Sequence, residues 1–316
     1  MTTIANHPFS TNSADFWASY SRGRLRVPLT FWSLIWDCHQ SHGNATFEHI
    51  HDLGSGPGIH ASVLASKFSN ILFSDPNPLN MEMAQAHIKQ TRDDGERFSY
   101  RVGRGEDITN HVDEKGVFDM VIAFNSLHWM DAEKCLPAIA SSLKPNGTFA
   151  AALYGFPDVY NEEAKEVLMK RFRHGINAIM TDPKGAPPLF EYGILSQDCG
   201  YDCISMGQDL WKNIQRVKLN YNDGERYKGF GSDIRGKRAD VGYESAITPE
   251  EKVVRERDMD WYFKTDLNGL RDILDSFPFP KDTEYETRMW KELDSIYKGK
   301  VVEGLYKVDL ILGQKR

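Results

Sequence analysis

Along the 316 residues, hydrophobic positions fall into two regimes. From Phe47 to about residue 153, short apolar runs alternate with amphipathic ones. Phe47-Glu48-His49-Ile50-His51-Asp52-Leu53 alternates apolar and polar side chains and predicts a short strand. Ile71–Asp75, Phe98–Val102, Val117–Phe124 and Thr148–Tyr154 predict further strands. Val117–Phe124 is nearly all apolar, as a central parallel strand covered on both faces should be. Helices are predicted over Ala61–Ala65, Leu79–Gln90 and Asp131–Leu143, the last stopped by Pro145-Asn146-Gly147. This alternation predicts an α/β fold with a doubly wound, mostly parallel sheet. Such sheets bind ligands beyond the carboxyl ends of their strands.

Outside that stretch the pattern is less regular. Residues 1–13 are polar, Asp15–Tyr20 is amphipathic, Ser21–Val27 is basic, and Pro28 opens an apolar helix over Leu29–Cys38. Downstream, Asp158 is placed to cap a helix running to about Met180, residues 181–209 read as loop with a short helix, and Ile214–Tyr221 predicts a strand. Residues 222–246 are rich in glycine and charge and read as mobile. Thr248-Pro249-Glu250-Glu251 has the form of a capping box and predicts a helix to about Lys264, with Glu250–Asp260 as its solvated face. Two more helices are predicted, Asp266–Phe277 and Thr283–Lys298. The second puts Met289, Trp290, Leu293, Ile296 and Tyr297 on one face, and Leu305–Leu312 predicts a last strand. The expectation is one domain: a helical cap over 1–45, a ligand-binding core over 46–155, and a substrate-side half over 156–316. Its residues 222–300 form a helical insertion before the last strand, folded over the mouth of the sheet.

Composition narrows the partners. A net charge of −7 argues against broad nucleic-acid binding, which needs excess Lys and Arg. The four cysteines, Cys38, Cys135, Cys199 and Cys203, form no Cys-x-x-Cys pair and read as reduced thiols of a cytoplasmic protein. No run reaches membrane-spanning length. His49 and His51 share a strand face without a third ligand, so no metal is expected.

The chemistry concentrates after the first strand, in Asp52-Leu53-Gly54-Ser55-Gly56-Pro57-Gly58. A dinucleotide turn requires Gly-x-Gly-x-x-Gly, and counted from Gly54 the last glycine would fall at Ile59. An acid two residues before the first glycine would repel a pyrophosphate and suits an ammonium group. S-adenosylmethionine has an amino-acid tail, a sulfonium and no phosphate, so Asp52 favours it. Asp75, ending the second strand, is placed to accept hydrogen bonds from ribose hydroxyls. Glu106-Asp107, after the third strand, can take an adenine amino group.

With these stretches the sequence resembles class I S-adenosylmethionine-dependent methyltransferases and, within them, the trans-aconitate methyltransferase-like small-molecule group. Besides the glycine motif, the resemblance rests on Asp75-Pro76 with Ala84, Gly105-Glu106-Asp107-Ile108, and Phe118-Asp119-Met120-Val121 leading to Asn125-Ser126-Leu127-His128-Trp129. Leu143-Lys144-Pro145-Asn146-Gly147-Thr148, Trp211-Lys212-Asn213 and Leu310-Ile311-Leu312-Gly313 also match. Tyr20, Arg24 and Pro28 keep the spacing of the group's Tyr-x-x-x-Arg-Pro-x-Tyr-Pro segment, with Leu25 and Val27 replacing its Pro and second Tyr. Asn80 stands where many relatives carry Met beside the adenine. The resemblance implies a Rossmann-like, seven-stranded sheet with an N-terminal helical lid. It implies cofactor contacts by Asp52, Gly54, Ser55, Gly56, Gly58, Asp75, Pro76, Glu106, Asp107, Asn125 and Ser126, with Tyr20 and Arg24 on the cofactor carboxylate or on substrate.

Trp17, Tyr20, His128, Trp129 and Tyr154 are the expected substrate contacts, and His128 is the candidate base or substrate donor unless it only packs. Family analogy favours O-methylation of a small carboxylic acid by a monomer or homodimer. The alternatives are O-, N-, S- or C-methylation of a specialised metabolite, or a cyclisation or rearrangement that uses the cofactor only as a charge.

Overall fold

The computed structural model describes residues 14–43, 45–91, 95–110, 115–182, 185–186, 189–222 and 245–316. The polar stretch 1–13 and residues 223–244 of the glycine- and charge-rich stretch lie outside them. The chain begins with α1 (Ala14–Gly23) and α2 (Leu29–Gln40). It then alternates β1 (His49–Leu53), α3 (Ala61–Ala65), β2 (Asn70–Asp75), α4 (Pro78–Thr91), β3 (Phe98–Val102), β4 (Phe118–Phe124), α5 (Ala132–Ser142) and β5 (Leu143–Leu153). β6 (Pro157–Val159), α6 (Glu162–Met180), α7 (Phe190–Asp198), β7 (Trp211–Leu219), β8 (Lys252–Glu256) and β9 (Tyr262–Thr265) follow. The chain closes with α8 (Leu267–Asp275), α9 (Thr283–Tyr297), β10 (Val302–Tyr306) and β11 (Val308–Lys315).

The main sheet runs β3-β2-β1-β4-β5-β11-β7-β8. β3, β2, β1, β4 and β5 pair in parallel, and β11 pairs antiparallel with both β5 and β7. Period-2 alternation sorts β4 between two cores. Met120, Ile122 and Phe124 join a cluster with Trp32, Trp36 and Phe172, while Val121 and Ala123 join one with Leu136, Ile139 and Trp211. Both faces of β4 are therefore dry, which is why its sequence is apolar from Met120 to Phe124, Asp119 near its start being the exception.

Among the described residues the sheet has eight strands, not seven, and is mixed: the two pairings that β11 makes are antiparallel and the other five are parallel, so the sheet is mostly parallel as expected. The added strand, β8, comes from the segment read as a helix over 248–264. The capping-box bond does form, since Thr248 N–H donates to Glu251 Oε1 at 3.4 Å. No helix propagates from it. The other oxygen of Glu251 is held by Arg216 Nε at 2.6 Å, with both side chains about 1% exposed. This anchors the segment against β7, where the β-branched Val253 and Val254 pair with Arg216 and Val217 in a parallel ladder. The insertion before the last strand is thus mixed, with β8 and β9 ahead of α8 and α9.

Two smaller differences have local causes. The helix expected from Asp158 starts at Glu162, because Asn161 Oδ1 accepts the Ala164 N–H at 2.9 Å. Asp158 lies in β6 and pairs with Lys165 and Lys307. The stretch Leu305–Leu312 is two strands that part at Lys307, β10 entering a second sheet of order β6-β10-β9 and β11 the main one.

Candidate functional site

The glycine turn is shaped by its left-handed positions. Gly54, Gly56 and Gly58 have φ of +69°, +55° and +74°, a region costly for any residue with a Cβ. Space restricts two of them further. A Cβ on Gly54 would lie 2.5 Å from Ser126 Cβ, and one on Gly58 would lie 3.1 Å from Ala84 Cβ. At Gly56 nothing stands within 4 Å of that position, so this backbone faces open space. The Gly54 and Ser55 N–H groups donate to Ser74 O at 2.8 and 3.0 Å, locking the turn to β2. Ser126 is buried and its hydroxyl donates to Leu53 O at 2.7 Å, so it builds the turn from the other side.

A cavity of about 340 Å³, including its open mouth, lies above this turn, lined by Asp52, Gly54, Ser55 and Asn125 from the strand ends and by Tyr20, Arg24 and Leu25 from the N-terminal segment. Ile59, His60, Phe124 and Tyr154 complete the lining. Asp52 is 1% exposed and its Oδ2 has no hydrogen-bond partner. Burial first, and the Asp75 carboxylate second, push its pKa up to about 8. Opposite in charge is Arg24, whose guanidinium stacks on Tyr20 and Phe277 at 4.7 and 4.9 Å from the ring centres. Its Nη2 donates to Ser276 O at 3.3 Å, and its buried Nε has no partner. Asn125 takes φ of +52°, and its Oδ1 accepts the Tyr154 N–H at 2.9 Å, fixing the mouth of β5 to that of β4.

Asp75 stands beside the turn rather than in the lining. Its Oδ2 accepts from Gly56 N–H at 3.1 Å, and its Oδ1 from Asn77 N–H at 2.8 Å and Asn80 Nδ2 at 3.0 Å. Burial raises its pKa while these three bonds oppose the rise. Pro76, next along, is half-buried. Of the adenine candidates, Glu106 is engaged by Arg104 Nη2 at 3.1 Å and by Asp131 N–H at 2.9 Å, whereas Asp107 is exposed.

A model of a methyltransferase domain matches residues 51–151. Methyltransferase gedG of Aspergillus terreus is 29% identical over 305 residues, covering 95% of this chain and 92% of that protein. A methyltransferase of Claviceps purpurea is 28% identical, with 95% and 92% covered, and methyltransferase tpcM of Aspergillus fumigatus is 29% identical, with 96% and 92% covered. This chain is an S-adenosylmethionine-dependent methyltransferase.

The methyltransferase's own residues fit that cofactor on two counts. Asp52 has a buried carboxylate oxygen aimed at no protein donor, and Gly56 leaves clear the space that a side chain would fill. The substrate-side candidates divide. Tyr20 and Tyr154 line the cavity. Trp17 is buried edge-on to Tyr20, with ring centres 5.1 Å apart, behind the lining. His128 is buried away from the cavity, its Nδ1 2.9 Å from Tyr201 Oη. Trp129 stacks on Phe190 and packs against Gly193 of α7.

His60 was not legible as a site residue. It opens α3 directly after the glycine turn, edge-on to Trp32 and Phe124, with Nε2 3.5 Å from Tyr154 Oη. Burial pushes its pKa down to about 4, so it is neutral near pH 7. Its position two residues past Gly58, at a helix start facing the ligand end of the sheet, was the available signal.

Proposed function

We propose that the methyltransferase holds the cofactor's amino-acid tail between Asp52 and Arg24 and methylates an oxygen of a small acid, a carboxylate first of all. The cofactor supplies an electrophilic methyl group on its sulfonium. The protein supplies orientation and a dry pocket. Asp52 takes the ammonium and Arg24 the carboxylate. Asp75 takes ribose through its remaining lone-pair capacity, and Asp107 takes the adenine amino group. Asn125 and Ser126 keep the strand mouth in register. The N-terminal residues 1–45 act as the cap, 46–155 as the cofactor core and 156–316 as the acceptor side of one unit.

The observation that carries the acceptor assignment is the chemistry of the cavity lining. It offers donors, Tyr20, Tyr154 and His60, but no histidine of ordinary basicity, since His60 is held near 4 and His128 is turned to Tyr201. An acceptor that arrives ionised needs no base, and donors that hold it suffice. A phenol is the second reading, favoured by the lone pair of neutral His60 beside Tyr154. Incubation with radiolabelled cofactor and a panel of small carboxylic acids, phenols and thiols tests this. A labelled product cleaved by mild base is expected. Base-stable label on a phenol, thiol or amine would replace the carboxyl assignment, and absence of cofactor binding in calorimetry would remove the whole reading.

A further inference from the structure

Outside the lining of the cavity, α7 ends in a turn that brings two thiols together. The Tyr201 N–H reaches back to Ser196 O at 2.9 Å, the long bond of a helix stop, with Gly200 and Tyr201 left-handed at φ +57° and +64°. Gly200 is required there, because a Cβ would lie 2.6 Å from the Asp309 carboxylate. The reversal carries Cys203 back over Cys199. Their sulfurs lie 2.9 Å apart, the Cys203 N–H donates to Cys199 Sγ at 3.4 Å, and both residues are half-buried. The turn is held from outside as well: Arg216 Nη1 donates to Tyr201 O at 3.0 Å and Lys218 Nζ to Gly200 O at 2.9 Å. Neither thiol touches the site described above.

We propose that Cys199 and Cys203 are a reversible dithiol–disulfide site, oxidised by small disulfides such as oxidised glutathione, and that the bond pins Tyr201 beneath His128. Closing a disulfide shortens the sulfur separation to about 2.05 Å, a movement of under an ångström within a turn that is already folded back. The two thiols are not equivalent. Cys199 donates its S–H hydrogen bond to Cys203, which lowers the pKa of Cys203 and raises that of Cys199. The Cys203 thiolate attacks one sulfur of the oxidant and expels one thiolate, leaving a mixed disulfide on Cys203. Cys199 then gives up its proton, attacks Cys203 Sγ and expels the second thiolate. The protein loses two electrons and two protons, and one disulfide oxidant becomes two thiols. Tyr201 lies between the two cysteines, and its hydroxyl meets His128 Nδ1 at 2.9 Å, so the new bond restrains the turn on which the loop after β4 rests.

The test titrates the purified full chain in glutathione redox buffers, alkylates remaining thiols, and maps them by mass spectrometry. The expected result is a loss of about 2 Da confined to a cross-linked 199–203 peptide, reversed by dithiothreitol, at ratios that leave Cys38 and Cys135 alkylated. Cys199→Ser, confirmed folded by circular dichroism, should trap a glutathione adduct on Cys203. Hydrogen exchange should slow at 199–203 and at 127–129 on oxidation. Two freely alkylatable thiols in excess oxidant, or a wild-type glutathione adduct that Cys199 never resolves, would overturn the site. Unchanged exchange at 127–129 would overturn the link to His128.

Discussion

On the proposed cofactor placement, Asp52 sets the pH behaviour of its end of the cavity. Its folded-state pKa of about 8 lies above its ordinary value of 3.8, so the folded chain keeps a proton that the unfolded chain releases near pH 4. Stability is therefore lost as pH rises between those values. An ammonium ligand requires the ionised carboxylate, so binding must expel that proton. Cofactor affinity should fall about tenfold for each pH unit below about 8. Calorimetry near pH 6.5 should show about one proton released, read from the dependence of the heat on buffer ionisation enthalpy. Asp52→Asn removes both effects. It should melt higher than the wild type at pH 8.5, with the difference closing toward pH 4, and bind cofactor roughly ten- to a hundredfold more weakly, the loss of a charge-assisted bond of about 1.5–3 kcal/mol. A variant that kept full affinity would place the ammonium elsewhere. Asp75→Ala is expected to weaken cofactor binding by roughly 1–3 kcal/mol. Since Asp75 also holds the Gly56 and Asn77 N–H groups, the loss should come with faster hydrogen exchange in the glycine turn.

At the scale of elements, periodicity found the strands and helices from β1 to β5 because each is decided by its own burial pattern. The failures came where a distant partner decided. Thr248-Pro249-Glu250-Glu251 carries a sound local helix signal, and Glu251 does cap Thr248 N–H, yet Arg216, 35 residues earlier, claims its other oxygen and the chain continues as β8. No local pattern encodes that pair. Removing one partner strands a buried charge. Glu251→Gln should therefore cost about 3–5 kcal/mol in urea unfolding, whereas replacing both Arg216 and Glu251 by Met should recover most of it. The clasp between α1 and α8 was equally invisible. Gly23 approaches Asp272 so closely that a Cβ would sit 1.9 Å from its carbonyl oxygen. This contact puts Tyr20 and Arg24 over the cavity, and Arg24 reaches Ser276 just past α8. Gly23→Ala should loosen the clasp at a cost of about 1–3 kcal/mol, and limited proteolysis should then cut near α1 sooner.

Taken whole, the molecule divides its site between what a motif can carry and what only the fold assembles. Asp52, the three glycines, Asp75 and Asn125 lie in short sequence-local motifs at the ends of three strands, so the end of the cavity proposed for the cofactor was visible as spacing. The end proposed for the acceptor draws on α1, the β5 mouth and His60, which no single sequence motif joins. His128 looked available because it follows β4 directly, but Tyr201, 73 residues on, holds its Nδ1. His60 directly precedes the predicted helix Ala61–Ala65 and carries no local sign of a partner, but the end of β5 places Tyr154 against it. The exchange of one histidine for the other changes the expected chemistry. With His60 desolvated to a pKa near 4, the cavity cannot deprotonate a weakly acidic hydroxyl effectively, because a base that far below its proton donor has little driving force. Turnover should therefore track the ionised fraction of the acceptor itself. For a carboxylic acid, kcat/KM measured with saturating cofactor should be flat from about pH 6 to 9. For phenols of graded acidity it should rise with pH up to each phenol's own pKa. His60→Gln keeps a donor near Tyr154 and should change carboxylate turnover less than about tenfold, since no proton is taken from that acceptor. A collapse of carboxylate turnover in a folded His60→Gln that still binds cofactor, with phenol turnover lost in parallel, would make His60 a positioning group for any acceptor. A selective loss on weakly acidic phenols would make it their base.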